Sequence, residues 1–289
     1  MEQGAAKSNS RIGQSHPLRL GRLGFVNVLP VYLFLERDGS LFRETAGTPS
    51  MLNKMLREAR LDVSPASSVE YARAGEAYWI LRDLSISCHG KVRSVLLLSG
   101  SSMEDWREAV IQCPRESETS VALLQLLLKN YWGVEASLVH EDSGIDAVAF
   151  LRIGDRALEE MASGKWAHAW DLGEAWLAWT GLPFVFALWL VREEAVRSSP
   201  VQLYRLHQAL LKAKDLGLEK LDQCAAKASG MLGGLDLDFL DYFRGLNFDL
   251  KEEHIRGLDR FFEELLKAGL IGQKPVLRFF PYDENAWVS

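Results

Sequence analysis

Apolar positions along this chain alternate between two spacings, short continuous runs and helical recurrence, and the alternation repeats. Residues 18–25 read as a short strand broken at Gly24, with Asn27 and Pro30 just beyond, and 31–36 as a helix. Thr48-Pro49-Ser50 starts a second helix, with Met51, Leu52, Met55, Leu56 and Ala59 on one face. Leu61-Asp62-Val63 leads to Ser67-Ser68-Val69-Glu70, where Ser67 and Glu70 have the spacing of a capping box and predict another helix start. Residues 92–99 form a strongly apolar strand bounded by Gly90 and Gly100-Ser101-Ser102.

A second unit with the same grammar follows. Residues 106–113 lead to Ser117-Glu118-Thr119-Ser120 and a leucine-rich helix over 121–131, which Gly133 ends. Residues 146–153 are a strand closed by Gly154-Asp155, 156–163 a short helix and 167–170 another strand. Asp171-Leu172-Gly173 has two readings: a turn between two core elements, which the residues alone favour, and a ligand-facing loop, where a carboxylate stands beside a glycine that lets backbone approach closely. It runs through a Thr-Gly-Leu-Pro turn into the almost wholly apolar 184–191, a buried strand. From Ser199-Pro200 onward the chain is mainly helical. Residues 251–268 are the clearest case, with Ile255, Leu258, Phe262, Leu265 and Leu266 at helical spacing and Gly269 as the stop. This region reads as a packing layer. Alternating strands and helices imply an α/β fold.

Composition narrows the function more than the fold. A chain of 289 residues accommodates one large or, more naturally, two medium domains. With 48% hydrophobic and 25% charged residues it has the balance of a soluble globular protein. A net charge of -6 argues against nucleic acid as a main partner. It leaves a small anionic ligand open, because local donors can override global charge. Residues 1–17 are polar and lack the apolar core of a signal peptide, and no run is long enough to span a bilayer, so no membrane partner is expected. Cys88, Cys113 and Cys224 cannot build a full disulfide framework, so a reducing cytoplasm is the expected location.

The usual chemical motifs are absent. The chain has no dinucleotide fingerprint, phosphate loop or nucleophile elbow. Neither an H-E-x-x-H nor paired C-x-x-C motifs occur, and the six histidines have no metal spacing, so no metal site is expected. His140-Glu141 alone pairs a histidine with a carboxylate and reads as a solvated loop pair. Hydroxyl-rich turns remain. Ser67-Ser68 and Thr119-Ser120 lie at helix starts, where free N–H groups and the helix dipole favour an anion by ~0.3–1 kcal/mol per charge. N-capping alone accounts for one hydroxyl at each. Two such starts, with Asn27 and Ser94 near other strand ends, fit a carboxylate-bearing ligand.

In this order and spacing the residues resemble a known family. The markers are Gly24-Phe25-Val26-Asn27 with Pro30; Asp62-Val63-Ser64-Pro65 with Glu70; Gly90-Lys91-Val92-Arg93-Ser94; Thr119-Ser120-Val121; Ile153-Gly154-Asp155-Arg156-Ala157-Leu158; and residues 171–189. From about Leu18 to the C-terminal helices the chain resembles the chorismate dehydratases of the futalosine route to menaquinone, relatives of the dihydroxynaphthoate synthases. The resemblance implies a fold like the type II periplasmic binding proteins, two α/β domains around a ligand cleft. The natural crossings are Gly100-Ser101 and Leu182-Pro183, giving domain one as 18–100 plus 183–289 and domain two as 101–182. It implies loss of water from chorismate, a dicarboxylate, to give 3-[(1-carboxyvinyl)oxy]benzoate. Aromatisation drives that step, so no cofactor is expected. Asn27 takes the central catalytic position. An amide is a poor base, so its implied role is to orient a base or the leaving hydroxyl, and a carboxylate of the substrate is a candidate base. Ser94, Thr119 and Ser120 match carboxylate-binding positions, with Ser67, Ser68, Gly154, Asp155 and Asp171 as further substrate contacts. The two aspartates are equally suited to capping a turn or bracing the hinge.

Two departures from the family stand out, His89 before Gly90 and Arg152 inside an apolar strand. Two other functions compete. The sister activity forms 1,4-dihydroxy-6-naphthoate and tends to use a histidine base, for which His140 is the candidate. A non-catalytic small-anion receptor would share the fold, but such receptors need export, and no export signal or lipid-attachment cysteine is seen at the N-terminus.

Overall fold

A computed structural model describes residues 16–281, so the polar extension lies, up to residue 15, outside the described part. The first sheet begins with β1 (Leu18–Leu23), α1 (Leu29–Tyr32), β2 (Phe42–Gly47), α2 (Pro49–Arg57), β3 (Val63–Ser67), α3 (Ser68–Ala74) and β4 (Tyr78–Cys88). The chain then builds a second sheet from β5 (Val95–Ser99), β6 (Ala109–Cys113), α4 (Glu118–Leu127), β7 (Ala136–His140), β8 (Ala149–Ile153), α5 (Gly154–Ala162) and β9 (His168–Asp171). Helix α6 (Leu172–Thr180) leads back to β10 (Phe184–Arg192), and α7 (Glu193–Ser198), α8 (Pro200–Glu219), α9 (Leu221–Met231), α10 (Phe239–Gly245) and α11 (Glu252–Lys267) complete the chain.

The two sheets have one plan. Their orders are β2-β1-β3-β10-β4 and β7-β6-β8-β5-β9. In each, three strands run parallel in the order second, first, third, and the fourth position holds an antiparallel strand. That fourth strand comes from the far side of a crossing: β10 returns to the first sheet, and β5 opens the second. The first crossing therefore lies between Cys88 and Val95. It does not lie at Gly100-Ser101, because β5 is hydrogen-bonded on both sides within the second sheet, to β8 and β9. Residues 95–100, expected with domain one, belong with the second sheet.

Local differences from the expected elements have physical causes. Helix α1 starts earlier than 31–36, behind a 3-10 turn at Val26–Val28, because Pro30 sits in its first turn, where a fixed φ favours initiation. Three strands carried no readable pattern, among them β7, a part-exposed edge strand. β2 is a polar edge strand, and β4 is interrupted where Asp83 takes φ +55° and the register against β10 shifts. On α11, Leu258, Phe261, Phe262 and Leu265 are buried under β10, while Leu266 faces solvent. Phe261 stacks edge-on against Phe184 and Trp176, with ring centroids 4.9 and 6.0 Å apart.

The stretch 171–189 is not a ligand loop. Asp171 is the N-cap of α6, and Leu172, Gly173, Ala175 and Trp176 are buried. Gly173 serves close packing rather than ligand approach: a Cβ there would lie 2.5 Å from Cys88 Sγ and 2.6 Å from the Gly90 carbonyl oxygen. The Asp171 carboxylate accepts four backbone N–H groups, from Val92 (3.1 Å), Arg93 (2.6 Å), Gly173 (2.9 Å) and Glu174 (3.1 Å). Burial pushes this carboxyl above its ordinary value, against the pull of those four donors. Among the described residues no helix is long and apolar enough to cross a membrane.

Asp171→Ala would leave several of these amides buried without partners. We expect it to destabilise the protein by about 3 kcal/mol or more, read from the denaturant midpoint; a loss below about 1 kcal/mol would show that the carboxylate is not the brace.

Candidate active site

Open α/β sheets bind ligands beyond the carboxyl ends of their strands, where neighbouring connections leave in opposite directions. Here each sheet has such a point, between β1 and β3 and between β6 and β8. A cavity lies where the two face each other. Its walls come from both sheets. Phe25 and Asn27 follow β1, Ser67 ends β3, Ser117, Thr119 and Ser120 follow β6, Ile153 ends β8 and Gly154 follows it. Ser94 enters from the first crossing and Phe186 from β10.

Of the residues expected from sequence, the cavity gathers Asn27, Ser67, Ser94, Thr119, Ser120 and Gly154. Three others lie off its wall. Ser68 donates its hydroxyl to the Val185 carbonyl inside the first sheet, and Asp171 braces the crossing. Asp155 accepts the Val26 N–H at 3.0 Å from across the cavity. His89 is exposed and off the wall, so it does not shape this cavity. His140 is also exposed and away from it, and its neighbour Glu141 is held by Arg152 and Arg156. Arg152, the polar interruption of β8, is buried in that ion-pair group with Glu160.

None of the described lining residues is charged. The polarity comes from hydroxyls, all 2–7% exposed for Ser67, Ser94, Thr119 and Ser120. Their hydrogen bonds decide what they offer. Ser67 Oγ accepts from Asn53 Nδ2 and from the Glu70 N–H, both at 3.1 Å. Its lone pairs are thereby occupied and its proton is left for the cavity. Ser120 Oγ accepts the Ser117 hydroxyl at 2.7 Å, and Thr119 Oγ1 accepts the Val69 N–H at 3.2 Å. Each hydroxyl therefore keeps a proton to donate. Ser94 Oγ accepts the Tyr242 hydroxyl at 3.1 Å and has only a long bond to the Val92 carbonyl, 3.3 Å. The N-terminal turns of α4 and α5 end at the same wall, adding the positive ends of two helix dipoles. One acceptor complements the donors: Asn27 Oδ1 is buried without a partner. The cavity thus matches a ligand with anionic groups and at least one hydrogen-bond donor.

Three contributors escaped the sequence reading. Asn53 is fully buried on α2 and both donates to Ser67 Oγ and accepts its N–H at 3.3 Å. An Asn within the apolar face of a helix was the available signal. Tyr242 is fully buried on α10, in the region read as packing alone. Ser117 caps α4, which starts at Glu118 and not at the expected 121, and it donates to Ser120.

Comparison with known proteins agrees with this architecture. A family model described as menaquinone biosynthesis matches residues 18–267. The chain belongs to the menaquinone-biosynthesis family. A chorismate dehydratase of Thermus thermophilus is 32% identical over 86% of this family member and 95% of the relative. A chorismate dehydratase of Campylobacter jejuni is 30% identical over 66% and 71%. The periplasmic aliphatic sulphonate binding protein of Escherichia coli superposes with a TM-score of 0.60 at 12% identity, covering 90% of each chain. The fold is therefore of the periplasmic-binding-protein type.

Asn53→Ala would strip two buried bonds from Ser67. A loss of about 2 kcal/mol in chemical denaturation is expected; a change below about 0.5 kcal/mol, the range of a substitution that breaks no buried contact, would mean Ser67 is held by other means.

Proposed function

We propose that this protein is a chorismate dehydratase, a hydro-lyase acting in the cytoplasm on the futalosine route to menaquinone. The observation that carries the reading is the cavity itself, together with the activity named for its relatives. Chorismate bears two carboxylates and a ring hydroxyl. Ser67, Ser94, Thr119 and Ser120 supply hydroxyls for the carboxylates, and Asn27 supplies an unpartnered amide oxygen for the ring hydroxyl.

The reaction breaks the ring C–H bond and the neighbouring C–OH bond. The C–H electron pair becomes the third ring double bond, and the hydroxyl departs with its own pair. No described lining residue has a side chain that titrates near neutrality. The proton therefore passes to a carboxylate of the substrate and on to the departing oxygen, giving water. The protein contributes orientation and oriented dipoles. Asn27 orients the leaving hydroxyl. Ser94 and Thr119 anchor the carboxylates and hold the base near the ring proton. The naphthoate-forming alternative tends to use a histidine base, and His140, the candidate for it, stands away from this cavity.

The direct test is incubation of metal-free protein with chorismate and mass analysis for loss of one water with an aromatic product spectrum. Binding without turnover would favour a receptor, and neither would remove the reading. Asn27→Ala should lower kcat by about 10²-fold or more with the fold intact. Ser94→Ala and Thr119→Ala should mainly weaken binding, by about tenfold each.

A site without a titrating base also predicts a level kcat between about pH 6 and about pH 9, where both substrate carboxylates stay ionised. A bell-shaped profile with a limb near neutrality would assign the proton to an enzyme group instead.

A further inference from the structure

Asp155 shares the α5 start with Gly154, yet only Gly154 reaches the cavity wall. Its carboxylate points at the turn that carries the candidate catalytic amide. The Val26 N–H opens that turn, which spans Val26–Val28, and it has no partner within it. Asp155 Oδ1 accepts this N–H at 3.0 Å, one residue before Asn27. The two groups belong to different sheets, so the bond closes only when the two sides of the cavity meet.

The surrounding contacts fix the same seam. Gly154 has φ +57°, and a Cβ on it would lie 2.9 Å from Phe25 Cδ1. The Phe25 ring therefore seats directly on the α5 start. The Gly154 N–H donates to the Ser94 carbonyl at 2.7 Å, which ties this start to the first crossing. An anionic carboxylate would repel a dicarboxylate ligand, so direct substrate contact is a poor use of Asp155. Holding a backbone donor next to Asn27 is a use that its position supports.

We propose that Asp155 is a positioning residue: from the opposite sheet, it holds the Val26–Val28 turn so that the Asn27 amide meets the substrate in its reacting orientation. This rests on the reading of the cavity as a dehydratase site. Substrate binding should depend little on it, because the anchoring hydroxyls lie on other elements. Turnover should depend on it strongly, because misplacing a reacting group by about 1 Å can cost about 10²-fold.

The test uses the full chain and three variants. Asp155→Asn keeps an acceptor oxygen, Asp155→Ala removes it, and Val26→Pro removes the donor. Proline is compatible there because Phe25 already has φ -88° and ψ 155°, the extended backbone that a residue before proline requires. We expect Asp155→Ala and Val26→Pro each to lower kcat by about 10- to 100-fold with KM changed by less than about threefold. The double variant should lose no more than the worse single one, and Asp155→Asn should stay near wild type. Amide hydrogen exchange over residues 25–29 should quicken in Asp155→Ala and not in Asp155→Asn. Unchanged kcat in Asp155→Ala, a loss expressed only in KM, or additive losses in the double variant would overturn the proposal. The exchange measurement needs no turnover. Faster exchange in Asp155→Ala with an inactive wild type would sink the dehydratase reading and leave the seam standing; unchanged exchange with an active wild type would do the reverse.

Discussion

Asp171 stands where the two passages between the sheets meet. One passage, residues 89–94, leaves the first sheet; the other begins at α6 and returns to it. Two of the four amides on this carboxylate belong to the first passage and two to the second. Arg93, one of the donors, has φ +60°, a conformation that costs a non-glycine residue about 1 kcal/mol or more and persists only where its surroundings fix it. Gly173 brings α6 against Cys88 and Gly90 so closely that no side chain fits between them. The two passages thus act as one stapled strap, and the facing of the sheets follows from where that strap holds them.

Given that facing, the site follows from topology. Parallel strands in the order second, first, third leave their carboxyl ends free at one edge, and both sheets turn that edge inward. Four segments then deliver short polar residues to one cavity. The chemistry is set by what those residues are bonded to. A serine whose oxygen already accepts two hydrogen bonds is a donor, whatever its sequence context. The absence of charged side chains among the described lining residues fits such donors. A buried cation would need its own compensation before a ligand arrived, whereas neutral hydroxyls do not.

The helices after β10 have two roles. Phe261 and its neighbours cover the aromatic cluster around Trp176 and Phe184. Tyr242 reaches through to Ser94, and Arg93 pairs with Asp241 on the same helix, α10. A layer that periodicity describes as packing thereby fixes one anchoring hydroxyl and braces the first passage.

The sequence by itself determined the alternation of strands and helices, the helix starts at Thr48 and Ser67 and, to within a few residues, the one before Val121, and most of the hydroxyls that line the cavity. These are local signals, because a cap residue and its helix lie within four positions of each other. The order of motifs also carried the family. Strand β3 was harder, since Ser-Pro inside a central strand runs against strand preference, and β2 and β4 lacked an apolar rhythm. Only the tertiary structure decided that Asp171 is a strap, that Asp155 faces Val26, that Asn53 and Tyr242 hold Ser67 and Ser94, and that β5 belongs to the second sheet. Each of those facts joins residues from 14 to more than a hundred positions apart or depends on which neighbour a strand finds. Local propensity carries no record of such pairings; they arise from packing both sheets around one shared core.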